Sequence, residues 1–327
     1  MLYDRGVSYK RKSLFFKYGN QLLRSPILFV DVGARGNLSQ PFADIRKRMP
    51  ELLKIIAFEP DYTAAQTISS NLHGELVVNK AVWSHKEDLT LFITRDQSAS
   101  SLFRPSQKAA RDFQSKHMEP RFVTQTKKIS GIALDEVMKD LTDVGGSFLK
   151  CDTQASEFEV VAGARNYLKT KCIGLTMECW TQPVYEGSRT VDEVITLVRE
   201  LDFEVFDIQV SAAWNRRIDQ NSLVRKKQVV GLDFLAFKKL ESFYAQSPSN
   251  EEIMRFVLLA DLWGYADYAF QILNHESCSI SPEFRDDVIK KLLKVRRSRN
   301  FENKKFVFHR DLVRLMFKFC PRFPLIH

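Results

Sequence analysis

The segment Ile27-Leu-Phe-Val-Asp-Val-Gly-Ala-Arg-Gly36 decides the fold class. A short run, apolar but for Asp31, enters a glycine turn, which is how a strand buried on both faces ends. Residues 40–50 then read as a helix, and Lys54-Ile-Ile-Ala-Phe58 as a second buried strand that Pro60 stops. Residues 62–72 read as a helix and Leu76 to Trp83 as a third strand. Strand–helix–strand–helix–strand over the first 83 residues predicts an α/β fold with a doubly wound parallel sheet.

Further along, residues 88–94 alternate as a strand, and a serine-rich loop follows at 98–102. Residues 104–121 show no period and are expected to form an inserted lid or loop with helical turns. Residues 122–130 read as an edge strand and 133–141 as a helix. Phe148–Asp152 and Cys172–Trp180 read as strands, each followed by a helix, over Glu157–Leu168 and Val191–Leu201. Phe203–Val210 and Val229–Phe237 form an expected closing antiparallel hairpin. Beyond about residue 242 the pattern is helical throughout. The expected division is a basic N-terminal segment (1–26), an α/β domain (27–240) and a helical, basic C-terminal extension (241–327).

The composition fits this reading. Apolar residues are 44% and charged residues 27% of 327, which excludes a disordered or fibrous chain. The five cysteines are odd in number and form neither a C-x-x-C pair nor a zinc-ligand spacing, so a reduced compartment is expected. No apolar run is long enough to span a bilayer, and the basic N-terminus is interrupted at Lys17 and Asn20, unlike a signal peptide. A cytoplasmic chain follows as the expectation. Net charge is +9 but unevenly placed: +8 over residues 281–327, +5 over 1–26 and −4 between them. Two basic ends on a slightly acidic body suit an anionic partner such as a membrane surface, a nucleic acid or a phosphorylated ligand; otherwise they are solvated faces.

Three segments carry chemistry. Asp31-Val-Gly-Ala-Arg-Gly36 is a D-x-G-x-x-G turn at a strand's carboxyl end, where ligands of open α/β sheets bind. Gly33 and Gly36 let the backbone come close to a ligand, and an acid before them suits the cationic amino group of S-adenosylmethionine. Glu59 ends the second strand and can accept both hydroxyls of a ribose. Leu149-Lys-Cys-Asp-Thr-Gln-Ala-Ser-Glu157 places Asp152 at a strand end on the ligand side, with Lys150 on the same strand face. Glu157 falls in a first helical turn, where a negative charge is favourable in any case.

In family order, FVDVGARGN (29–37), IAFEPD (56–61), VNKAVWS (78–84), SASSLF (98–103), LDEVM (134–138), LKCDTQASEFEVVAGA (149–164) and MECWTQPVYEG (177–187) together resemble the FkbM family of S-adenosylmethionine-dependent methyltransferases. The resemblance covers roughly residues 27–238. It implies a class I methyltransferase (Rossmann-like) fold and methyl transfer to a hydroxyl oxygen, commonly of a sugar or natural product. It also implies that Asp31, Gly33 and Glu59 bind the cofactor, that Asn79 and Ala81 lie near its adenine, and that Asp152 lies near the transferred methyl. One departure is Ala155, where the family usually carries glycine.

A sugar hydroxyl is a weak acid, so a general base or a metal is useful. The candidate bases are Asp152, Glu178, His85 and His117; Asp152 is preferred, with Glu178 as the second carboxylate. Two such acids could also hold a divalent cation, which nothing in the sequence demands. A nucleic-acid methyltransferase using the basic ends is an alternative, although Thr153-Gln154 follows Asp152 where amino-methylating enzymes carry Pro-Pro. A non-catalytic binding module of the same fold is another, against which the Asp31/Glu59 pair speaks. In the tail, Phe306, Phe308, Leu312, Leu315, Phe317 and Phe319 are mixed with Arg310, Arg314 and Lys318. Such a helix can lie in an anionic bilayer interface at the membrane's inner face, or pack on the catalytic domain or a second subunit.

Overall fold

The structure is a computed structural model that describes residues 13–141, 145–217 and 226–296. Its main sheet has seven strands. In chain order the strands of the molecule are β1 (Ile27–Val32), β2 (Leu53–Phe58), β3 (Leu76–Val78), β4 (Ala81–Val82), β5 (Glu87–Thr94), β6 (Val123–Ile132), β7 (Ser147–Cys151), β8 (Cys172–Trp180), β9 (Phe203–Trp214) and β10 (Gln228–Lys238). The main sheet runs β3-β2-β1-β7-β8-β10-β9. Its first five strands are parallel, and β10 lies antiparallel to both β8 and β9. Counted within this sheet alone the order is 3-2-1-4-5-7-6, the class I methyltransferase arrangement with its closing hairpin.

The expected third strand is two. Its residues 76–78 join the main sheet, whereas 81–82 pair with β6 in a separate sheet ordered β4-β6-β5. The break falls at Asn79-Lys80, where the Asn79 amide turns back and donates to the carbonyls of Glu59 and Pro60 at 2.9 and 3.1 Å. The strand expected at 122–130 is β6 of this small sheet.

Helices occupy the connections. Before β1 lies α1 (Leu14–Leu22), and between the first strands lie α2 (Phe42–Arg48) and α3 (Tyr62–Asn71). The inserted segment carries two short helices, α4 (Gln107–Asp112) and α5 (Ser115–Met118). Then follow α6 (Leu134–Met138), α7 (Glu157–Ala162), α8 (Arg165–Thr170), α9 (Val191–Glu200), α10 (Leu240–Tyr244), α11 (Asn250–Leu262) and α12 (Ala266–Asn274). The helix expected over 157–168 is thus broken in two. Gly163 sits at the break, where a Cβ would lie 2.0 Å from the Trp83 carbonyl oxygen, so only glycine lets the segments meet.

Alternation along β1 splits the core. Leu28, Val30 and Val32 face the layer of α6, α7, α8 and α9. Ile27 and Phe29 face the other layer, which holds α1, α2, α11 and α12. The helices beyond 240 therefore cover one face of the sheet and share its core, rather than forming one of their own. Residues 253–262 of α11 are buried on every side, the mark of a central helix. Asp261, fully buried, accepts from the Leu14 amide at 2.6 Å and pairs with Arg296 at 2.6 Å, joining both ends of the described chain to that helix. The expectation for Phe306–Phe319, and most of the two basic ends, lies outside the described residues. No helix among the described residues is long and apolar enough to cross a membrane.

Candidate active site

The carboxyl ends of β1, β2 and β7, with the small sheet and the serine loop, surround a cleft of about 730 Å³ including the space open to solvent. Gly33, Glu59, Ala81 and Asp152 all line it. Gly33 makes this convergence possible. Its φ is +75°, and a Cβ there would lie 1.9 Å from the Asp152 carbonyl oxygen. The Gly33 and Ala34 amides both donate to the Phe58 carbonyl at 3.1 Å. Three strand ends are thus drawn together at one glycine. Gly36, at φ +98°, turns the chain in open space: a Cβ there would meet nothing within 4 Å, and the residue does not line the cleft.

Glu59 is 4% exposed. Burial raises its pKa, opposed by the Asp61 amide, which donates to Oε1 at 2.8 Å, and by Arg35 at 3.6 Å. Arg35 also pairs with Asp61 at 3.4 Å and donates to Gln97 at 2.7 Å. Ala81, Val82, Phe58 and Leu91 give the cleft an apolar wall beside this acid. Asn79 is itself exposed and serves the wall by bracing the end of β2.

Asp31, 4% exposed, lies outside the cleft lining. Its carboxylate faces Lys150 at 3.0 Å, and the Lys150 ammonium also donates to the Gly33 carbonyl at 2.8 Å. Despite burial, the nearby Asp31 and Asp152 carboxylates hold the Lys150 pKa above its ordinary value. The cation that Asp31 meets in this structure is therefore a lysine that anchors the Gly33 turn.

Asp152 reaches the cleft with its side chain 40% exposed, 3.9 Å from Lys150. The Gln154 amide bridges Asp152 Oδ1 at 3.2 Å and Glu178 Oε2 at 3.3 Å, so the two expected carboxylates do come together. Burial, then the charges of Asp152 and Asp233, push the Glu178 pKa up to about 8. Gln154 and Ala155 have φ of +56° and +101°, so Ala155 occupies backbone space that suits glycine better. This bend is held from within by Glu157, whose Oε1 accepts from Thr153 N and Oγ1 at 2.9 Å and from Ala155 N at 3.3 Å. Glu157 is buried, and that burial pushes its pKa up to about 7. From outside, Ser101 Oγ donates to the Gln154 carbonyl at 2.5 Å, and the buried Tyr185 hydroxyl lies 3.2 Å from Gln154 Oε1.

Sequence reasoning did not single out Gln154, Tyr185, Ser101 or the anchoring role of Lys150. The signal available was that SASSLF, LKCDTQ and PVYEG recur as one ordered set, which the structure explains by their meeting at Gln154. The histidines stand apart. His85 is exposed and pairs with Glu87 at 3.3 Å. His117 stacks on Trp214 with ring centroids 5.3 Å apart, and burial lowers its pKa. Among the described residues, no three His, Cys, Asp or Glu side chains form a set that could hold a metal.

No curated protein matches the chain in sequence. Among solved structures, the FkbM methyltransferase of Methylobacillus flagellatus KT is 14% identical, over 69% of this chain and 47% of that one, with a TM-score of 0.36. This chain thus spans about half that protein's length. The magnesium protoporphyrin IX methyltransferase of Synechocystis PCC 6803, solved with bound S-adenosylmethionine, is 9% identical over 68% and 73%, with a TM-score of 0.33. An S-adenosylmethionine-dependent methyltransferase of Leishmania major is 10% identical over 65% of each chain, with a TM-score of 0.30. The FkbM methyltransferase domain matches residues 31–205, more than half of the sequence. The chain belongs to the FkbM methyltransferase family.

Proposed function

We propose that this chain moves a methyl group from S-adenosylmethionine to a hydroxyl oxygen of a carbohydrate or glycosylated small molecule. The observation that carries this reading is the Asp152–Gln154–Glu178 bridge at one end of a cleft whose other end holds the buried Glu59 beside an apolar wall. The residues fit the cofactor's parts. Among the described residues Glu59 Oε2 has no hydrogen-bond partner and is able to accept from ribose hydroxyls, while Phe58, Ala81 and Val82 offer an adenine a flat apolar surface. Gly33 has no side chain to obstruct the approach.

When bound, S-adenosylmethionine supplies an electrophilic methyl; the protein supplies position and a base. Asp152 faces the cleft and takes the hydroxyl proton. Glu178, protonated below about pH 8, lies beside Asp152, and its ionisation above that pH adds a second negative charge that makes Asp152 the stronger base. Gln154 holds both side chains in register, and Lys150 on the other side of Asp152 fixes its position.

Asp152→Asn tests the assignment, since it keeps the shape and removes the base. Turnover is expected to fall by roughly 10²-fold or more, the scale of a lost general base, with cofactor affinity within a few-fold of the parent. Unchanged turnover on a glycan acceptor would put the base elsewhere.

A further inference from the structure

We infer that the acceptor carries an oxyanion on its sugar, a carboxylate or a phosphate, and that a groove lined by Arg95, Arg104 and Arg121 receives it. This deepens the reading above and rests on it. The groove spans about 1040 Å³, including the space open to solvent, between the inserted segment 104–121 and the small sheet.

The three arginines share one kind of setting. Each guanidinium lies against aromatic rings: Arg95 is 5.5 Å from the Phe122 centroid and Arg104 5.2 Å from that of Phe92. Arg121 lies 5.1 and 4.8 Å from those of Trp180 and Trp214. None of the three has a carboxylate partner within ion-pair distance among the described residues, unlike Arg35, Arg216 and Arg296. An aromatic face orients a guanidinium without neutralising it. Arg121 is already engaged, its Nη1 donating to the His117 carbonyl at 3.0 Å and its guanidinium beside the Tyr185 side chain; Arg95 and Arg104, both exposed, present the two oriented cations that a compact oxyanion can meet. Glu119 also lines the groove and the Asp96 carboxylate lies near Arg121, so three cations stand against two anions and the local balance is positive by one.

Two further observations point to a sugar and to this active site. Phe122, also in the groove lining, is 62% exposed, an apolar surface on which a sugar ring can rest. The groove wall is stitched to the cleft: Glu186 N donates to the Arg104 carbonyl at 2.7 Å and Ser106 N to that of Val184 at 2.8 Å. Between them stands Tyr185, whose hydroxyl reaches Gln154, the residue that bridges Asp152 and Glu178.

The test is calorimetric titration of the full chain with glucuronate, glucose 1-phosphate, glucose and inorganic phosphate, repeated on Arg95→Gln/Arg104→Gln. Both side chains are exposed, and an unchanged melting temperature checks the fold. At least one charged sugar is expected to bind at least about tenfold more tightly than glucose, and to lose about tenfold in the variant, the scale of one charge-assisted hydrogen bond. Which charged sugar wins distinguishes a carboxylate from a phosphate. Equal binding of glucose, no binding of either charged sugar, or full affinity in the variant would overturn the proposal. Inorganic phosphate binding as tightly as glucose 1-phosphate would also overturn it, because the sugar would then add nothing. S-adenosylmethionine is titrated in parallel. Its failure to bind the parent, with charged sugars still dependent on Arg95 and Arg104, would sink the methyltransferase reading alone.

Discussion

Replacing Lys150 by Met removes the cation between Asp31 and the Gly33 carbonyl. The Asp31 carboxylate, 4% exposed, is then buried without its counter-ion. Breaking a buried pair from one side costs about 3–5 kcal/mol. The Lys150 side chain keeps 16% of its exposure, so the lower end of that range, about 3 kcal/mol, is expected here. Asp31→Asn alone also loses the pair but leaves no uncompensated negative charge. The double variant Asp31→Asn/Lys150→Met should therefore be more stable than the two single costs predict, by about 1–2 kcal/mol of coupling. Urea unfolding followed by tryptophan fluorescence and far-ultraviolet dichroism measures all four proteins, and equal m-values keep the comparison valid. Additive costs within about 0.5 kcal/mol would refute the pairing. So would a Lys150→Met cost below about 1 kcal/mol, since an intact pair would then contribute little to folding.

Two more outcomes follow from groups whose protonation is shifted. The Glu178 pKa is raised to about 8, so kcat/KM should rise as pH passes through 8, where its ionisation adds a second charge beside the base; in Glu178→Gln that limb should be absent. Lys238, 2% exposed, donates to the carbonyls of Leu168 and Leu201 at the ends of α8 and α9, yet burial lowers its pKa from 10.5 to about 8. Because its folded pKa is below the unfolded one, the unfolded chain binds more protons between pH 8 and 10.5, and stability rises with pH there. Relative to Lys238→Met, the parent should gain up to about 3 kcal/mol across that window in urea titrations; a flat difference would contradict the lowered pKa.

The parallel half of the sheet could be read from periodicity because β1 and β2 are nearly continuous apolar runs and end at Gly33 and Pro60. The split of 76–83 could not, because Ala81-Val82 is as apolar as what precedes it and the turn depends on where the Asn79 amide finds its carbonyls. The helix break at Gly163 reflects contact with Trp83, which is distant in the chain and which local pattern does not carry. The place of α11 was open to inference, since a helix apolar on most sides needs neighbours on most sides. That Glu59 and Asp152 line the cleft is legible from their strand ends, but the partner of Asp31 is not. Lys150 shares a strand face with Asp152, and only the pairing of β1 with β7 beside Gly33 brings it to Asp31. The Gln154 bridge was hidden because it depends on the left-handed backbone at 154–155.

Calorimetric titration of S-adenosylmethionine into the parent and into Glu59→Ala tests the assignment of the cleft most directly. The parent is expected to bind one equivalent. Glu59→Ala should weaken that binding by about 1.5–3 kcal/mol, roughly 10- to 150-fold, the scale of hydrogen bonds to a charged acceptor. Saturable binding with the same affinity in a folded Glu59→Ala variant, or no binding to the parent, would contradict it.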